Sequence, residues 1–293
     1  MVLDVALLDG RVLAATQSGR VETHDWRGGR RLPDLLALDP EPGRELPPTV
    51  SCVTVSPTAR RVAAASSDEK LWLFDLDAQG AVVERRTLPS GPVVACRFID
   101  EGRLLLGDLR GELASLDWSD GGELFRRKLD YDPIYAIAVS PGGRRVAVGL
   151  RSSRVHILDA ESGQTVRLLE GHRDSVFAVA WGGDDLLVSG SKDKRVLAWD
   201  FAADPPRPRT LYQGDHYVTA VAIDGDRLAL TLGAHQIGLL GIRDGRIRRS
   251  MAAHTAPVQR LVFLEGGRRL LSAGIDARVL VWDVREDEGG APS

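Results

Sequence analysis

His172, Ser189 and Asp193 are the residue types of a nucleophilic triad: a hydroxyl to attack, an imidazole to take its proton and a carboxylate to hold the ring. They lie in one stretch, Glu170 to Asp200, EGHRDSVFAVAWGGDDLLVSGSKDKRVLAWD. Acyl transfer of this kind usually places the serine on an exposed strand-to-helix elbow, G-x-S-x-G, and Ser189 sits instead within an alternating apolar run that reads as a strand. The set also occurs twice. His254, Ser272 and Asp276 keep the same step of four residues from Ser to Asp, and in each copy a Trp follows the Asp by six, at Trp199 and Trp282. A catalytic centre has no reason to be duplicated with its spacing intact, whereas a brace in a repeated unit does.

Other chemistry has less support. His24, His156, His216 and His235 lack H-x-H and H-E-x-x-H spacing, and Cys52 and Cys96 are too few for a zinc site. No G-x-x-x-x-G-K-[ST] or G-x-G-x-x-G is present to cradle phosphate, so no metal and no cofactor are expected. The net charge of -3, from 38 basic and 41 acidic side chains in 293 residues, gives no field to gather nucleic acid or an anionic membrane. The clusters Arg27, Arg30, Arg31 and Arg243, Arg246, Arg248, Arg249 read as solvated turns and strand edges. Both cysteines fall in apolar strand patterns, which predicts two buried thiols in a reducing compartment. The start, MVLDVALLDGR, reads as no signal peptide, and no apolar run is long enough to span a bilayer; the expectation is a soluble, cytoplasmic protein.

The elements that must position these residues repeat along the chain. Aligning the third strand of each copy on its last residue gives Asp25, Asp75, Asp117, Asp159, Asp200, Gly241 and Asp283, at intervals of 50, 42, 42, 41, 41 and 42. Val-rich alternating runs precede each, with inner strands starting at Val2, Val50, Val93, Ile134, Val176, Val218 and Val258. Second strands start at Arg11, Arg61, Arg103, Arg145, Leu186, Arg227 and Arg269. A period near ~42 with Gly-His and Trp-Asp signatures is that of four-stranded propeller blades. The sequence resembles the WD-repeat (WD40) β-propeller family from Met1 to about Arg285, most specifically at Gly171-His172 to Trp199-Asp200 and at His254 to Trp282-Asp283.

The resemblance implies an all-β, seven-bladed propeller filling 1–285 as a single domain, followed by a flexible polar tail at 286–293. It implies that His172, Ser189, Asp193 and Trp199, and likewise His254, Ser272, Asp276 and Trp282, are hydrogen-bonded tetrads locking two blades. The long first interval places an insertion loop at about 27–48, RGGRRLPDLLALDPEPGRELPP. The chain begins with what aligns as an inner strand. An alternative register would use Val2 to Leu8 to close the last blade, but LAATQSGRVETHD parallels LVSGSKDKRVLAWD, so the last blade is expected to lack its outer strand and to present an open edge to a strand-donating partner.

In the family, partners dock around the channel mouth, on the residue after the first of each inner strand and the residue before each tetrad Asp. Carried onto this chain, the first column is Leu3, Ser51, Val94, Tyr135, Phe177, Thr219, Gln259, and the second is Gln17, Ser67, Leu109, Arg151, Lys192, Gly233, Ile275. Tyr135, Arg151, Phe177 and Lys192, with Tyr217 in the next loop, are therefore the expected partner-binding residues. The implied function is a non-catalytic protein–protein interaction scaffold or adaptor that binds proteins or peptides. The competing reading, a small-molecule sensor or enzyme using the central channel, needs polar or acidic groups converging there, and the first column is mostly apolar or neutral.

Overall fold

The structure, a computed structural model, describes residues 1–58, 60–76, 81–87, 91–233, 235–252 and 254–285, with 81–87 described as strand backbone only. The expected tail at 286–293 lies outside the described residues. Among the described residues twenty-seven strands, β1 to β27 in chain order, form seven antiparallel sheets. Blade 1 is β1–β4 (Val2–Leu8, Arg11–Thr16, Arg20–Asp25, Arg30–Ala37) and blade 2 is β5–β8 (Val50–Val55, Arg61–Ser66, Lys70–Asp75, Ala81–Thr87). Blade 3 is β9–β12 (Val93–Phe98, Arg103–Asp108, Glu112–Asp117, Glu123–Lys128) and blade 4 is β13–β16 (Ile134–Val139, Arg145–Leu150, Val155–Asp159, Thr165–Leu169). Blade 5 is β17–β20 (Val176–Trp181, Leu186–Ser191, Arg195–Asp200, Pro208–Gln213) and blade 6 is β21–β24 (Val221–Asp224, Arg227–Thr231, Gln236–Gly241, Ile247–Ala252). Blade 7 has three strands, β25–β27 (Val258–Leu264, Arg269–Gly274, Val279–Asp283).

Each sheet is apolar on two faces, so each face must be covered by a neighbour. The buried residues accordingly form seven clusters, every one shared between two adjacent blades. Close approach between blades depends on glycines in the second strands: a Cβ on Gly107, Gly149 or Gly190 would stand 2.7, 2.9 or 2.6 Å from the first or nearby side chain of the next inner strand, at Ile134, Val176 and Val218. The aspartate that ends most third strands has a local task. Asp25, Asp117, Asp159 and Asp200 each accept a backbone N–H two residues on, setting the turn toward the outer strand, and Asp283 makes the same bond at the end of β27. Blade 6 has Gly241 there and moves the task to Asp244, which accepts the Arg246 N–H at 3.0 Å.

Every second strand starts, and every third strand ends, at the residue expected from the repeat. Inner strands do so except in blade 6, where β21 begins at Val221 and not at Val218. There the Val218 N–H goes to Ser191 O of blade 5 and the Thr219 N–H to the Thr231 hydroxyl, so both leave the ladder, while the Ala220 carbonyl still accepts the Thr231 N–H at 3.2 Å. In the first long interval, β4 takes residues 30–37, leaving 38–49 as the connection to blade 2. This segment is pinned by Leu38 N–H to Gly19 O at 2.9 Å and by Lys70 Nζ to Glu41 at 3.1 Å.

The cysteines correct an expectation. Cys52 and Cys96 are not two separate thiols: they are joined as a disulfide between the inner strands of blades 2 and 3, with a Cα–Cα distance of 6.0 Å. Their separation of 44 is close to one repeat, which brings them to similar depth on adjoining strands.

Among the described residues the ring closes without a shared sheet. β1 pairs with β2, as the preferred register requires, and packs against blade 7 through Val2, Val5, Val12, Ala14, Leu264, Leu271 and Ala273. The last blade ends at β27, so its outer edge carries no strand among the described residues. Hydrogen bonds from Gly274 N to Arg278 O and from Val284 N to Arg268 O fix the phase of the β26–β27 ladder: Leu280 and Trp282 face inward, and Val279, Val281 and Asp283 turn their amides to the open side. In blades 3, 4 and 6 the residue aligned with Asp283 donates its N–H outward, to Gly122, Gln164 and Arg246.

Two outcomes check this arrangement. In amide exchange followed by NMR, Leu280 and Trp282 should be protected at least about tenfold more than Val279 and Val281; equal protection would mean that the edge is covered. Alkylation of the unfolded, unreduced protein should label neither Cys52 nor Cys96, and reduction should lower stability by up to ~4 kcal/mol through a freed loop of this length.

Candidate functional site

In blades 5 and 7 the repeated His, Ser, Asp and Trp come together. Trp199 Nε1 donates to Ser189 Oγ at 2.9 Å, Ser189 Oγ meets His172 Nε2 at 2.8 Å, and His172 Nδ1 meets Asp193 at 3.0 Å. The second copy repeats this at 2.8, 2.8 and 3.0 Å through Trp282, Ser272, His254 and Asp276. Donor logic orients the chain. The indole can only donate and the carboxylate only accept, so the serine oxygen accepts from the indole and the ring donates from Nδ1 to the aspartate. Ser189, Ser272 and both histidine side chains have 0% exposure. A hydroxyl so enclosed cannot reach a substrate, and the tetrads are blade braces. Gly171, before His172, is needed for close approach: a Cβ there would stand 2.9 Å from the Trp199 ring.

Burial alone would raise the Asp193 pKa. The hydrogen bond and charge of His172, the Arg173 N–H and the Arg195 guanidinium outweigh it and hold the carboxyl well below the usual range. Asp276 is lowered for the same reasons, against burial, by the Thr255 N–H, His254 and the Arg278 N–H. Blade 2 contains a shorter brace that the sequence pattern does not reveal, Trp72 Nε1 to Ser66 Oγ at 3.3 Å with Ser66 donating to Asp68. Trp72 lies two residues ahead of the aligned aromatic position, so the spacing rule passes over it.

The residues expected to bind partners lie at one end of the ring, where inner strands begin and second strands end. Tyr135 and Phe177 meet with ring centroids 5.4 Å apart. Each is the extra residue of a β-bulge, between Ile134 and Ala136 and between Val176 and Ala178, which turns its side chain out of the ladder. They line a cavity of about 100 Å³ at the channel mouth together with Thr219 and Gln259. Lys192 lies 5.8 Å from the Tyr217 ring and 3.5 Å from Asp174. Arg151 is exposed, and its carbonyl accepts from Ser175, whose own carbonyl receives the Lys192 N–H. The structure therefore gives two contacting pairs, Tyr135 with Phe177 and Lys192 with Tyr217, with Arg151 tied by backbone contacts to the Lys192 turn.

Sequence columns miss part of this end. Beside Leu109 and Tyr217, which the sequence marks, Met1, Leu46 and Tyr131 are exposed, and all five lie at or in loops of this same end. The other exposed large apolar residues, Leu124, Val166, Leu168 and Ile247, are on outer strands, three of them within the first two residues from the opposite end, and none of those described lies in a loop there.

A charged group also lies on the axis, where the first column suggested apolar and neutral residues. Asp4, fully buried, accepts from Val5 N at 3.0 Å, Val53 N at 3.3 Å, Arg97 Nη1 at 3.2 Å and Arg260 Nε at 2.7 Å. Burial opposes its ionisation, but the charges and hydrogen bonds of Arg260 and Arg97 keep its pKa below the ordinary value. The signal was one residue further along. Two positions after the start of each inner strand stand Asp4, Cys52, Ala95, Ala136, Ala178, Ala220 and Arg260, so a column of small residues is broken by charges in the two blades that close the ring.

Seven radial sheets with tetrad braces in two of them define a WD-repeat β-propeller. The WD domain, G-beta repeat family matches residues 163–200 and 245–283, the two stretches that carry the tetrads. The chain is similar to Nuclear distribution protein PAC1 of Arthroderma otae (strain ATCC MYA-4605 / CBS 113480), 30% identical over 166 residues, covering 52% of this chain and 36% of that protein. It is also similar to Periodic tryptophan protein 2 of Arabidopsis thaliana, 27% identical over 187 residues, covering 61% of this chain and 20% of that protein. A third relative is the F-box-like/WD repeat-containing protein TBL1X of Mus musculus, 27% identical over 136 residues, covering 41% of this chain and 26% of that protein. The matched segments thus span about a third or less of these relatives. Among solved structures, a chain in the crystal structure of the mitotic checkpoint complex superposes with a TM-score of 0.85 at 18% identity, covering 97% of this chain and 87% of that one. Among the described residues no group of three His, Cys, Asp or Glu is placed to hold a metal, and no helix is long and apolar enough to cross a membrane.

The braces make a pH-dependent prediction. The folded carboxylates of Asp193 and Asp276 are more acidic than the unfolded value of about 3.9, so their stabilisation is complete above that pH and is lost as the pH falls through the folded value. Denaturant midpoints measured from pH 6 down to 3 should fall with acid, and Asp193→Asn should be less stable at pH 6 with a shallower acid loss. His172→Ala, which strands a buried hydroxyl and a carboxylate, should cost about 3 kcal/mol.

Proposed function

We propose that the protein is a non-catalytic scaffold that holds protein or peptide partners on the end of the propeller carrying Tyr135, Arg151, Phe177, Lys192 and Tyr217. The observation that carries this reading is the distribution of exposed large apolar side chains, which favours that end over its opposite. Two aromatic residues turned outward by bulges, beside a lysine and an arginine, are the residue types that anchor protein interfaces. The relatives' names, with F-box-like and nuclear-distribution proteins among them, agree with an assembly role. The open edge of β27 offers a second contact of a different kind, to an extended segment of a partner added as a fourth strand. Placement in the cytoplasm belongs to the same proposal; the Cys52–Cys96 pair, at 0% exposure, is out of reach of the soluble thiols of a reducing compartment. The domain assignment, one propeller over 1–285, is part of this reading.

The test compares the two ends. Arg151→Ala with Tyr217→Ala should weaken capture of partners from the native organism about tenfold or more, which corresponds to ~1.4 kcal/mol, with the melting temperature nearly unchanged. Arg144→Ala, in an exposed turn of the opposite end, should leave capture intact. Equal loss in both variants, or none in either, would remove this end as the docking site.

A further inference from the structure

The channel-mouth cavity holds more hydrogen-bond donors than the protein uses. Arg97 employs only Nη1, on Asp4 and on the Cys96 carbonyl at 2.7 Å, leaving Nε and Nη2 without an acceptor among the described residues. Arg260 employs Nε on Asp4 and Nη1 on the Gln259 carbonyl at 3.0 Å, leaving Nη2. Both guanidiniums line the same cavity of about 100 Å³ as Tyr135 and Gln259, whose hydroxyl and amide also have no protein partner among the described residues. The side chains of Arg97 and Arg260 are 33% and 21% exposed, so their remaining edges are open to the channel while the Asp4 carboxylate, at 0%, is not.

Charge narrows the ligand. One buried carboxylate between two guanidiniums leaves a net charge of +1, and among the described residues Arg97 and Arg260 are the only charged ones lining this cavity. In the wider part of the channel, a cavity of about 530 Å³ that shares Arg97, the one carboxylate is Asp224, which is paired to Arg227 at 2.7 Å. A monovalent anion neutralises the site; a phosphate dianion would leave an excess negative charge in a confined space. The planar fork of a guanidinium matches a carboxylate, and the small volume admits a carboxyl group with a short stem.

We propose that Arg97, Arg260 and Tyr135 form a carboxylate-binding site at the mouth of the central channel. The carboxylate belongs either to a small free acid or to an acidic side chain presented by a docked chain. The site requires only a closed ring, so it is independent of whether the same end captures a protein.

The probe is fluoroacetate, followed by its ¹⁹F line width on the full chain at ionic strength held constant with sodium chloride. The wild type should broaden the line saturably, and acetate should reverse the broadening. Arg97→Gln leaves Asp4 with Arg260 and two backbone N–H donors, so it should fold and bind at least tenfold more weakly; Arg97→Lys should fall between. Tyr135→Phe, which keeps the ring packing, should bind a few-fold more weakly and supplies the test if Arg97→Gln does not fold. Displacement by acetyl-Gly-Glu-Gly-amide at lower concentration than acetate assigns the carboxylate to a partner's side chain; displacement by acetate alone assigns it to a free acid. No broadening by the wild type, or equal broadening by wild type and the variants, would overturn the site.

Discussion

A blade of this protein is stable only while both of its faces are covered, and that single constraint organises the molecule. All seven buried clusters are shared between neighbours, so six of the interfaces follow from chain order and the seventh, between blades 7 and 1, must be made by residues from the two ends of the chain. Among the described residues backbone pairing does not contribute there, since β1 pairs with β2 and blade 7 has three strands. Closure rests on the apolar contact of Val2, Val5 and Val12 with Leu264 and Leu271, and on Asp4. A carboxylate taken fully out of water costs several kcal/mol unless its lone pairs are filled. Here the four donors come from blades 1, 2, 3 and 7, so the group can be satisfied only when the ring is closed.

The braces meet the same problem one blade at a time. A mostly aliphatic core has no directional bonds, and alternative packings of Val, Leu and Ala differ little in energy. A chain of hydrogen bonds from an indole, which only donates, through a serine and a histidine to a carboxylate, which only accepts, fixes the relative placement of all four side chains. Its far end also shapes the surface. Asp193 accepts from Arg173 N and Arg195, tying the loop before β17 to the turn before β19, and Lys194 in that turn takes a φ of 71°. Lys192, which faces Tyr217 and Asp174, is therefore presented by a turn that the buried brace holds in place.

The sequence made the strand plan legible because its markers are local. An Asp that sets a turn and an Arg that opens a second strand recur at fixed intervals, and the observed ends of those strands coincide with them. The tetrads were legible for the same reason, since two copies with identical spacing select a structural role. Three features were not. Val218 leaves the ladder because the side chain of Thr231 takes a backbone bond, which no pattern of apolar residues announces. Cys52 and Cys96 pair because one repeat nearly superposes their positions, a relation visible only once inner strands are compared across blades and not along the chain. The Asp4 group escaped because the first column follows the bulged residues. In the bulged inner strands the residue after the first is the extra one, and Asp4 and Arg260 lie just past it, in a column otherwise of Ala and Cys.

Closure and the channel are thus served by the same side chains. Arg260 holds Asp4 across the seam and also lines the mouth, while Arg97 reaches the same carboxylate from blade 3 and lines both cavities. Anything that binds these guanidiniums in the closed ring and not in an opened one stabilises closure by RT ln(1 + [L]/Kd). A partner seated on Arg151 and Lys192 alone touches blades 4 and 5, away from the groups that join blade 7 to blade 1, and has no such leverage. One that also reaches the mouth does, because the groups it meets there are those that join blade 7 to blade 1. The geometry therefore separates the two ways this end can be used: contacts on the rim select a partner, and contacts on the axis are energetically linked to the integrity of the ring.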